Sequence, residues 1–242
     1  MLPCVVLAGG LGTRLRPRTQ SVPKVLIPIN GRPFAELQIE LLRRQGVRQL
    51  IYSIGFLGSL VRSTLGDGSR WGMTIEYVDE EDDLRGSGGA LRFALGQGKL
   101  SEAFFVINGD SYLRLDLADV EAAWRTSGLP ALMTVFRNTG RWDRSNVRLH
   151  DGRVFYDKHA EGSAAVGLDW IDYGLSILRR ETISNWHPDR DRGDLADLMH
   201  ELSAAGQVAG YLASQRFYEI GSLEGIRNLE RHLNRRYPPD GS

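Results

Sequence analysis

The residues whose types and spacing could do chemistry begin close to the amino terminus. Val5-Val6-Leu7-Ala8 runs into Gly9-Gly10-Leu11-Gly12-Thr13, followed by Arg14, Arg16, Arg18 and Lys24. An apolar strand that ends in glycines lets backbone N–H groups come close to an anion, because glycine tolerates positive φ and carries no Cβ. Arginine adds a planar fork of donors for phosphate oxygens, and lysine adds a point charge. The stretch has the make-up of a nucleotide-phosphate site; the other reading is a tight turn with solvated arginines. Further on, the apolar run Ala103 to Ile107 delivers Asn108-Gly109-Asp110. A carboxylate at a strand end suits Mg²⁺, which takes one or two protein carboxylates and completes its shell with phosphates and water. The bland alternative for Asp110 is the start of a turn.

Two familiar glycine patterns do not fit. The Walker pattern needs Gly-Lys-Ser/Thr where this chain has Gly12-Thr13-Arg14, and the dinucleotide fingerprint needs a glycine where it has Leu15. Covalent catalysis has no support either. There is no Gly-x-Ser-x-Gly elbow, and His150, His159, His187, His200 and His232 are far apart. The single cysteine, Cys4, opens an apolar strand and reads as a core residue.

The elements that must hold these residues alternate. Phe34, Leu37, Leu41 and Leu42 have helical spacing closed by Gly46, and Gln49 to Ile54 is strand-like. A helix over Leu57 to Leu65, a strand over Thr74 to Val78, a helix over Ala90 to Leu95 and the Ala103 to Ile107 strand follow. Such alternation predicts an α/β fold with a mostly parallel sheet, helices on both faces and ligands at the carboxyl ends of the strands. The glycine loop, Gly86-Ser87-Gly88-Gly89 and Asp110 all fall at such ends. The second half predicts a helix over Asp116 to Arg125, strands at Ala131 to Phe136, Ile171 to Leu178 and Val208 to Leu212, and a hairpin pairing Asn146 to Leu149 with Arg153 to Tyr156. A helix over Leu195 to Ala204, a strand and turn over Phe217 to Ser222, and a last helix from Leu223, capped by Ser222, complete it. The charged residues around Arg180, Arg190 and Arg192 read as a solvated face. No composition break marks a second domain, and the tail Tyr237 to Ser242 should be loose.

Thirty basic residues balance thirty acidic ones, so there is no global footprint for nucleic acid and phosphate binding must be local. No stretch is apolar enough for a membrane span or a signal peptide, and the cytoplasm is the expected compartment. The oligomeric state is left open, a homo-oligomer being compatible with the sequence.

LAGGLGTRL followed by Pro23-Lys24 resembles the signature of the sugar-1-phosphate nucleotidyltransferases (NDP-sugar pyrophosphorylases). The likeness runs from Val5 to about Ser222. It implies one Rossmann-like domain with a mixed, mostly parallel sheet. Residues to about 115 would hold an NTP, and residues from about 116 to 236 a sugar 1-phosphate. The left-handed β-helix of some relatives is not expected, since no hexapeptide repeat is present.

The resemblance implies that Arg14, Lys24 and Asp110 are catalytic, and that Leu7, Ala8, Gly9, Gly10, Gly12, Thr13, Gly86, Ser87 and Gly88 bind the nucleotide. Ser87 could instead be an ordinary helix cap. Lys158, in Tyr156-Asp157-Lys158, sits where the family has a phosphate-binding lysine after Glu; the other reading is a surface lysine. Asp172 and Gly174 occupy the place of the family's Asn-x-Gly, and Asn146 lies in a sugar-side segment, Trp142 to Val147, that has lost the family's glycine. Mg²⁺, or Mn²⁺, would sit on Asp110 and Glu219, where the family has a second Asp. These departures point to an unusual sugar. The format looks most like the heptose-1-phosphate guanylyltransferase and muramate or hexose 1-phosphate uridylyltransferase branch, with GTP favoured. Two other readings stand. One is a choline-phosphate cytidylyltransferase with a cage from Trp142, Tyr156, Trp170 and Tyr173; the other is a non-catalytic regulatory homologue.

Overall fold

The computed structural model describes residues 1–81, 83–140, 144–187 and 189–236. Trp142, Asp143 and the tail from Tyr237 lie outside the described residues. The first half contains β1 (Cys4–Leu7), β2 (Pro28–Ile29), β3 (Arg32–Pro33), α1 (Phe34–Arg44), β4 (Gln49–Ile54), α2 (Gly58–Leu65), β5 (Thr74–Asp79), α3 (Gly86–Gly96) and β6 (Ala103–Asn108). It continues with β7 (Ser111–Tyr112), α4 (Leu117–Ser127), β8 (Ala131–Arg137), β9 (Val147–His150) and β10 (Arg153–Tyr156). The remaining elements are β11 (Trp170–Arg179), α5 (Arg180–Asn185), α6 (Leu195–Ala204), β12 (Val208–Leu212), β13 (Tyr218–Glu219) and α7 (Leu223–Arg236).

One nine-stranded sheet runs in the order β5-β4-β1-β6-β11-β8-β12-β10-β9. β1, β4, β5 and β6 are parallel, as the alternation predicts. β11 is antiparallel to both β6 and β8, and β10 to β12 and β9, whereas β12 is parallel to β8. The sheet is therefore mixed, with β10 and β11 running against the rest. The reversal of β11 matters to the site. Leu175 pairs with Ile107, so the residues before it, Asp172 and Gly174, project past the carboxyl end of β6, where Asp110 follows. β9 also returns to β11 at Val147 and Trp170, curling the sheet's far end back on itself.

Each central strand buries both faces. Val6, Leu50, Tyr52, Phe105 and Ile107 pack with Ala35, Ile39, Val61, Leu65 and Val120 from α1, α2 and α4. Val5, Ile51, Phe104 and Val106 pack on the other face with Leu91, Ala94, Ile183, Leu198 and Met199 from α3, α5 and α6. The period of two along each strand thus supplies both cores, and helices cover both faces. Cys4 lies fully inside the first core, and burial pushes its thiol pKa up, as befits a packing residue.

The structure differs from the sequence reading in three places. α3 begins at Gly86, ahead of the predicted Ala90, because the Gly88 and Gly89 N–H groups find an acceptor in Gly193 O at 2.9 and 3.1 Å. The charged stretch near Arg180 is not wholly a solvated face: α5 forms there and buries Thr182 and Ile183. β7, too short to carry a hydrophobic period, was not foreseen; it pairs with β13, which falls within the strand and turn expected over Phe217 to Ser222.

Candidate active site

Two adjoining cavities open where the strands end. The first, about 360 Å³, is lined by residues between Leu7 and Asp110 only. Leu7, Ala8, Gly9, Gly10, Gly12, Lys24, Gly86, Ser87 and Asp110 line it together with Val25, Ser53, Glu80, Leu84 and Ala90. The second, about 520 Å³, is lined by Arg14, Asn146, Lys158, Asp172, Gly174 and Glu219, with Arg144, Tyr156 and Asp194 among their neighbours. Ser87, Asn108 and Asp110 belong to both walls. Thr13 and Gly88 are the sequence-selected residues that line neither. Thr13 is exposed in the turn Thr13–Leu15, and Gly88 is buried where a methyl group would come within 2.6 Å of the Trp186 ring.

Local geometry explains how each group is held. Gly12 has φ of 60°, and Thr19 Oγ1 donates to its carbonyl at 2.8 Å, closing the loop that carries Arg14 towards Lys24. Lys24 follows Pro23 into a short 3₁₀ turn, and its ammonium pairs with the Asp110 carboxylate. The Asp110 turn is pinned through its backbone. Gln38, buried on α1, donates to Asn108 O at 3.0 Å and to Ser111 O at 2.7 Å, and Gly109 N donates to Leu7 O at 2.9 Å.

The ladder between β7 and β13 sets Glu219 opposite Ser111, and Ile220 N donates to Asp110 O at 3.0 Å. Asp110 and Glu219, 109 positions apart in the chain (219 − 110), are thereby neighbours. Arg14 joins them through a third apolar cluster, in which Leu15 packs with Phe34, Tyr112 and Ile220 and with Ile226 and Leu229 of α7. Arg14 and Glu219 both flank Gly221, where a methyl group would come within 3.2 Å of Arg14 Nη2 and 2.9 Å of Glu219 Oε2.

On the sugar side, Asn146 Oδ1 accepts from the Asp172 backbone N–H at 2.9 Å, and Asp172 Oδ1 accepts from Gly174 N at 2.8 Å. Burial raises the Asp172 pKa to about 6, although the Gly174 N–H and the Lys158 charge oppose the shift. Lys158 Nζ donates to Asp194 Oδ2 at 2.8 Å. Partial burial works against ionisation of Asp194, but bonds from Lys158, Ala196 N and Ser87 outweigh it and hold the carboxyl below its ordinary range.

The structure adds two acids that sequence reasoning passed over. Glu80 follows β5 and is buried against the first cavity, accepting from Ser53 Oγ at 3.1 Å and from Arg85 N at 2.8 Å. Burial raises its pKa, and the two hydrogen bonds pull the other way. Its signal was its place at a strand end on the ligand rim, hidden within an acidic run. Asp194 caps α6 at Ala196 N, 3.0 Å. An acid before a helical run is visible in sequence, but its second partner is not. Ser87 does not cap its own helix: its hydroxyl donates to Asp194 Oδ1 at 2.7 Å and accepts from Leu195 N at 2.8 Å.

The sheet order and the joined cavities at the strand ends define the class, a Rossmann-like mixed α/β protein with its ligand site at the carboxyl ends of the strands. Among solved structures, HddC from Yersinia pseudotuberculosis complexed with GMP-PN shares the fold with TM-score 0.76 and 23% identity, over 96% of this chain and 100% of that one. A putative glucose-1-phosphate thymidylyltransferase from Bacillus anthracis has TM-score 0.80 at 17% identity, over 100% of this chain and 98% of that one.

The chain belongs to the nucleotidyl transferase family, whose model matches residues 4–141. It is similar to D-glycero-alpha-D-manno-heptose 1-phosphate guanylyltransferase of Aneurinibacillus thermoaerophilus, 34% identical over 96% of this chain and 98% of that protein. It is also similar to mannose-1-phosphate guanylyltransferase of Mycobacterium tuberculosis, 39% identical over 91% of this chain and 61% of that protein. Against three of the curated relatives that it matches, the chain spans 61%, 37% and 52% of their length. Among the described residues no helix is long and apolar enough to cross a membrane.

Proposed function

We propose that the chain is a cytoplasmic sugar-1-phosphate nucleotidyltransferase, joining an NTP and a sugar 1-phosphate into an NDP-sugar with release of pyrophosphate. The observation that carries this reading is Asp110, paired with Lys24 in the wall shared by two cavities. One cavity has an apolar floor and a glycine rim suited to a nucleotide; the other is polar and contains a lysine.

In the proposed reaction an oxygen of the sugar phosphate attacks the α-phosphorus, a new P–O bond forms, and the bond to the β-phosphate breaks with its electrons leaving on pyrophosphate. The nucleophile is already ionised near neutral pH, so the protein contributes alignment and charge neutralisation, and no base is required. Lys24 faces the reacting phosphates, Arg14 holds the leaving pyrophosphate, and Lys158 orients the incoming phosphate.

Asp110 and Glu219 would hold Mg²⁺ or Mn²⁺. Their neighbouring positions and shared cavity wall fit a cation that takes few protein carboxylates. When bound, the ion would supply positive charge against the phosphates.

GTP is favoured as the nucleotide, with a heptose or hexose 1-phosphate. The two guanylyltransferase relatives support it, and so does Glu80. A carboxylate inside a nucleotide cavity would repel phosphates, and its natural partners are the adjacent N1–H and 2-amino donors of guanine. The choline reading has less support: Arg137 lies over the Trp170 ring, 5.7 Å from its centroid, and Trp170 lines neither cavity.

Pyrophosphate release measured over a panel of the four NTPs against mannose, glucose and heptose 1-phosphates and phosphocholine tests the proposal. GTP with a heptose or hexose 1-phosphate is expected to turn over fastest. Silence with every pair, in Mg²⁺ and in Mn²⁺, would leave the regulatory reading.

Asp172 gives that activity a pH signature. Its raised pKa means that the folded protein keeps this proton up to about pH 6, whereas an exposed aspartate loses it near pH 4. Any stability linked to the group is thus greatest at low pH and is lost as pH rises through that window. The ionised form accepts from sugar hydroxyls through both oxygens and more strongly than the acid, in which one oxygen carries a proton and acts as a donor. KM for the sugar 1-phosphate is therefore expected to rise as pH falls below about 6. The substrate phosphate titrates in the same range, so the comparison with Asp172→Asn isolates the protein group: the variant should lose that part of the rise. Superimposable profiles would remove Asp172 from sugar recognition.

A further inference from the structure

Residues 189–195 form a strap beside the second cavity, whose wall includes Asp194 and Leu195, and Asp194 is bonded to Ser87, which lines both cavities. Asp194 Oδ2 receives Lys158 Nζ at 2.8 Å, and its Oδ1 receives Ser87 Oγ at 2.7 Å and Ala196 N at 3.0 Å. The strap is stitched to the nucleotide loop beside it. Gly193 N donates to Arg85 O at 3.0 Å, Gly193 O accepts from Gly88 and Gly89, and Leu195 N donates to Ser87 Oγ. Arg192 adds bonds to Leu84 O and Asp83. Gly88 and Gly193 are glycines where the Trp186 ring presses on both: a methyl group at either would come within 2.6 Å of it.

We propose that Asp194 is a positioning residue for the reaction, holding the Lys158 ammonium where the incoming phosphate arrives, from an anchor on the nucleotide loop. This rests on the activity proposed above. With Lys158 46% and Asp194 44% exposed, the ion pair contributes little to stability, so its consequence is where the ammonium sits. Lysine is a flexible point charge with many rotamers. Left alone, it would have to be ordered each time a phosphate bound, and a carboxylate fixed by a helix cap and by Ser87 does that ordering beforehand. An exposed pair is also weak enough for the phosphate dianion to draw the ammonium across. Because the anchor is Ser87, in the wall of both cavities, a nucleotide that settles the loop also settles Lys158.

Asp194→Asn separates these roles, since asparagine caps a helix as well as aspartate and its carbonyl can still accept from Ser87 and Ala196. What it loses is the charged partner of Lys158. With the substrate pair that turns over fastest in the wild type, KM for the sugar 1-phosphate is expected to rise at least about fivefold, within the range of coupling between adjacent charged groups. KM for the NTP should change less than about twofold, and the melting temperature should hold. Calorimetric binding of the sugar 1-phosphate should weaken by the same factor as KM. In a Lys158→Ala background the Asp194→Asn substitution should add nothing, because Asp194 acts through that lysine. An unchanged KM for the sugar phosphate, equal rises in both KM values with a lowered melting temperature, or full additivity in the double variant would each overturn the inference while leaving the activity standing. A wild type silent with every substrate pair would overturn both.

Discussion

Asp110→Ala is expected to lower kcat by at least about 10²-fold, the loss typical of removing one preorganised electrostatic group from a reacting phosphoryl centre, while the protein stays folded. The geometry separates the two effects. The turn that carries Asp110 is held by its backbone: Gln38 on the Asn108 and Ser111 carbonyls, Gly109 N on Leu7 O, and Ile220 N on Asp110 O. None of these bonds uses the carboxylate. What disappears with it is the partner of Lys24 and half of the carboxylate pair with Glu219.

Arg14→Ala should cost a similar factor in kcat. Its turn is anchored by Leu15 in the third apolar cluster, so the guanidinium can be removed without loosening the loop. Steady-state pyrophosphate release alongside a thermal melt checks both variants. Near-normal turnover in either would remove that residue from the reaction, and a collapsed melt would mean that the backbone account of the turn is wrong.

Glu80→Gln is expected to change which nucleotide is used more than how fast the chemistry runs. The carboxylate is buried, with the Ser53 hydroxyl and the Arg85 backbone N–H as its bonded partners and no cationic side chain paired with it among the described residues. Each oxygen retains a lone pair, and guanine presents two adjacent N–H donors where each other base offers at most one beside an acceptor. Inosine triphosphate lacks the 2-amino group, so the wild type should prefer GTP to ITP, and the variant should lose at least about tenfold of that preference, as expected for a hydrogen bond to a charged acceptor. Glutamine keeps one acceptor for Arg85 N or Ser53, which protects the fold. Ratios of kcat/KM for GTP, ITP and 2′-deoxy-GTP decide the matter. An unchanged GTP to ITP ratio would remove Glu80 from base reading, and a changed ratio of GTP to its deoxy analogue would assign it to the ribose.

The predictions for Asp110 and Arg14 and the one for Glu80 come from different levels of information. The glycine loop with Arg14 and Lys24, the Asn108-Gly109-Asp110 turn and the strand–helix alternation were all legible in the sequence by itself, and with them the family. Each is local. A strand announces itself by an apolar run, a turn by its glycines, and a strand-end carboxylate by what precedes it. Glu80 was not legible, because its burial depends on Ser53 and Gly9, each supplied by a different strand end. Nor was Asp194, whose bond to Ser87 spans 107 residues of sequence and whose bond to Lys158 spans 36.

The tertiary structure alone decided that Ser87 would serve a neighbouring helix and not its own, and that Gly88 would lie against the Trp186 ring. It likewise brought Arg14 to Glu219 through packing on the last helix. Local residue preferences select turns and strands. The partner of a polar side chain is settled by which distant segments the core draws together, because buried polar groups must find whatever donors and acceptors that packing supplies.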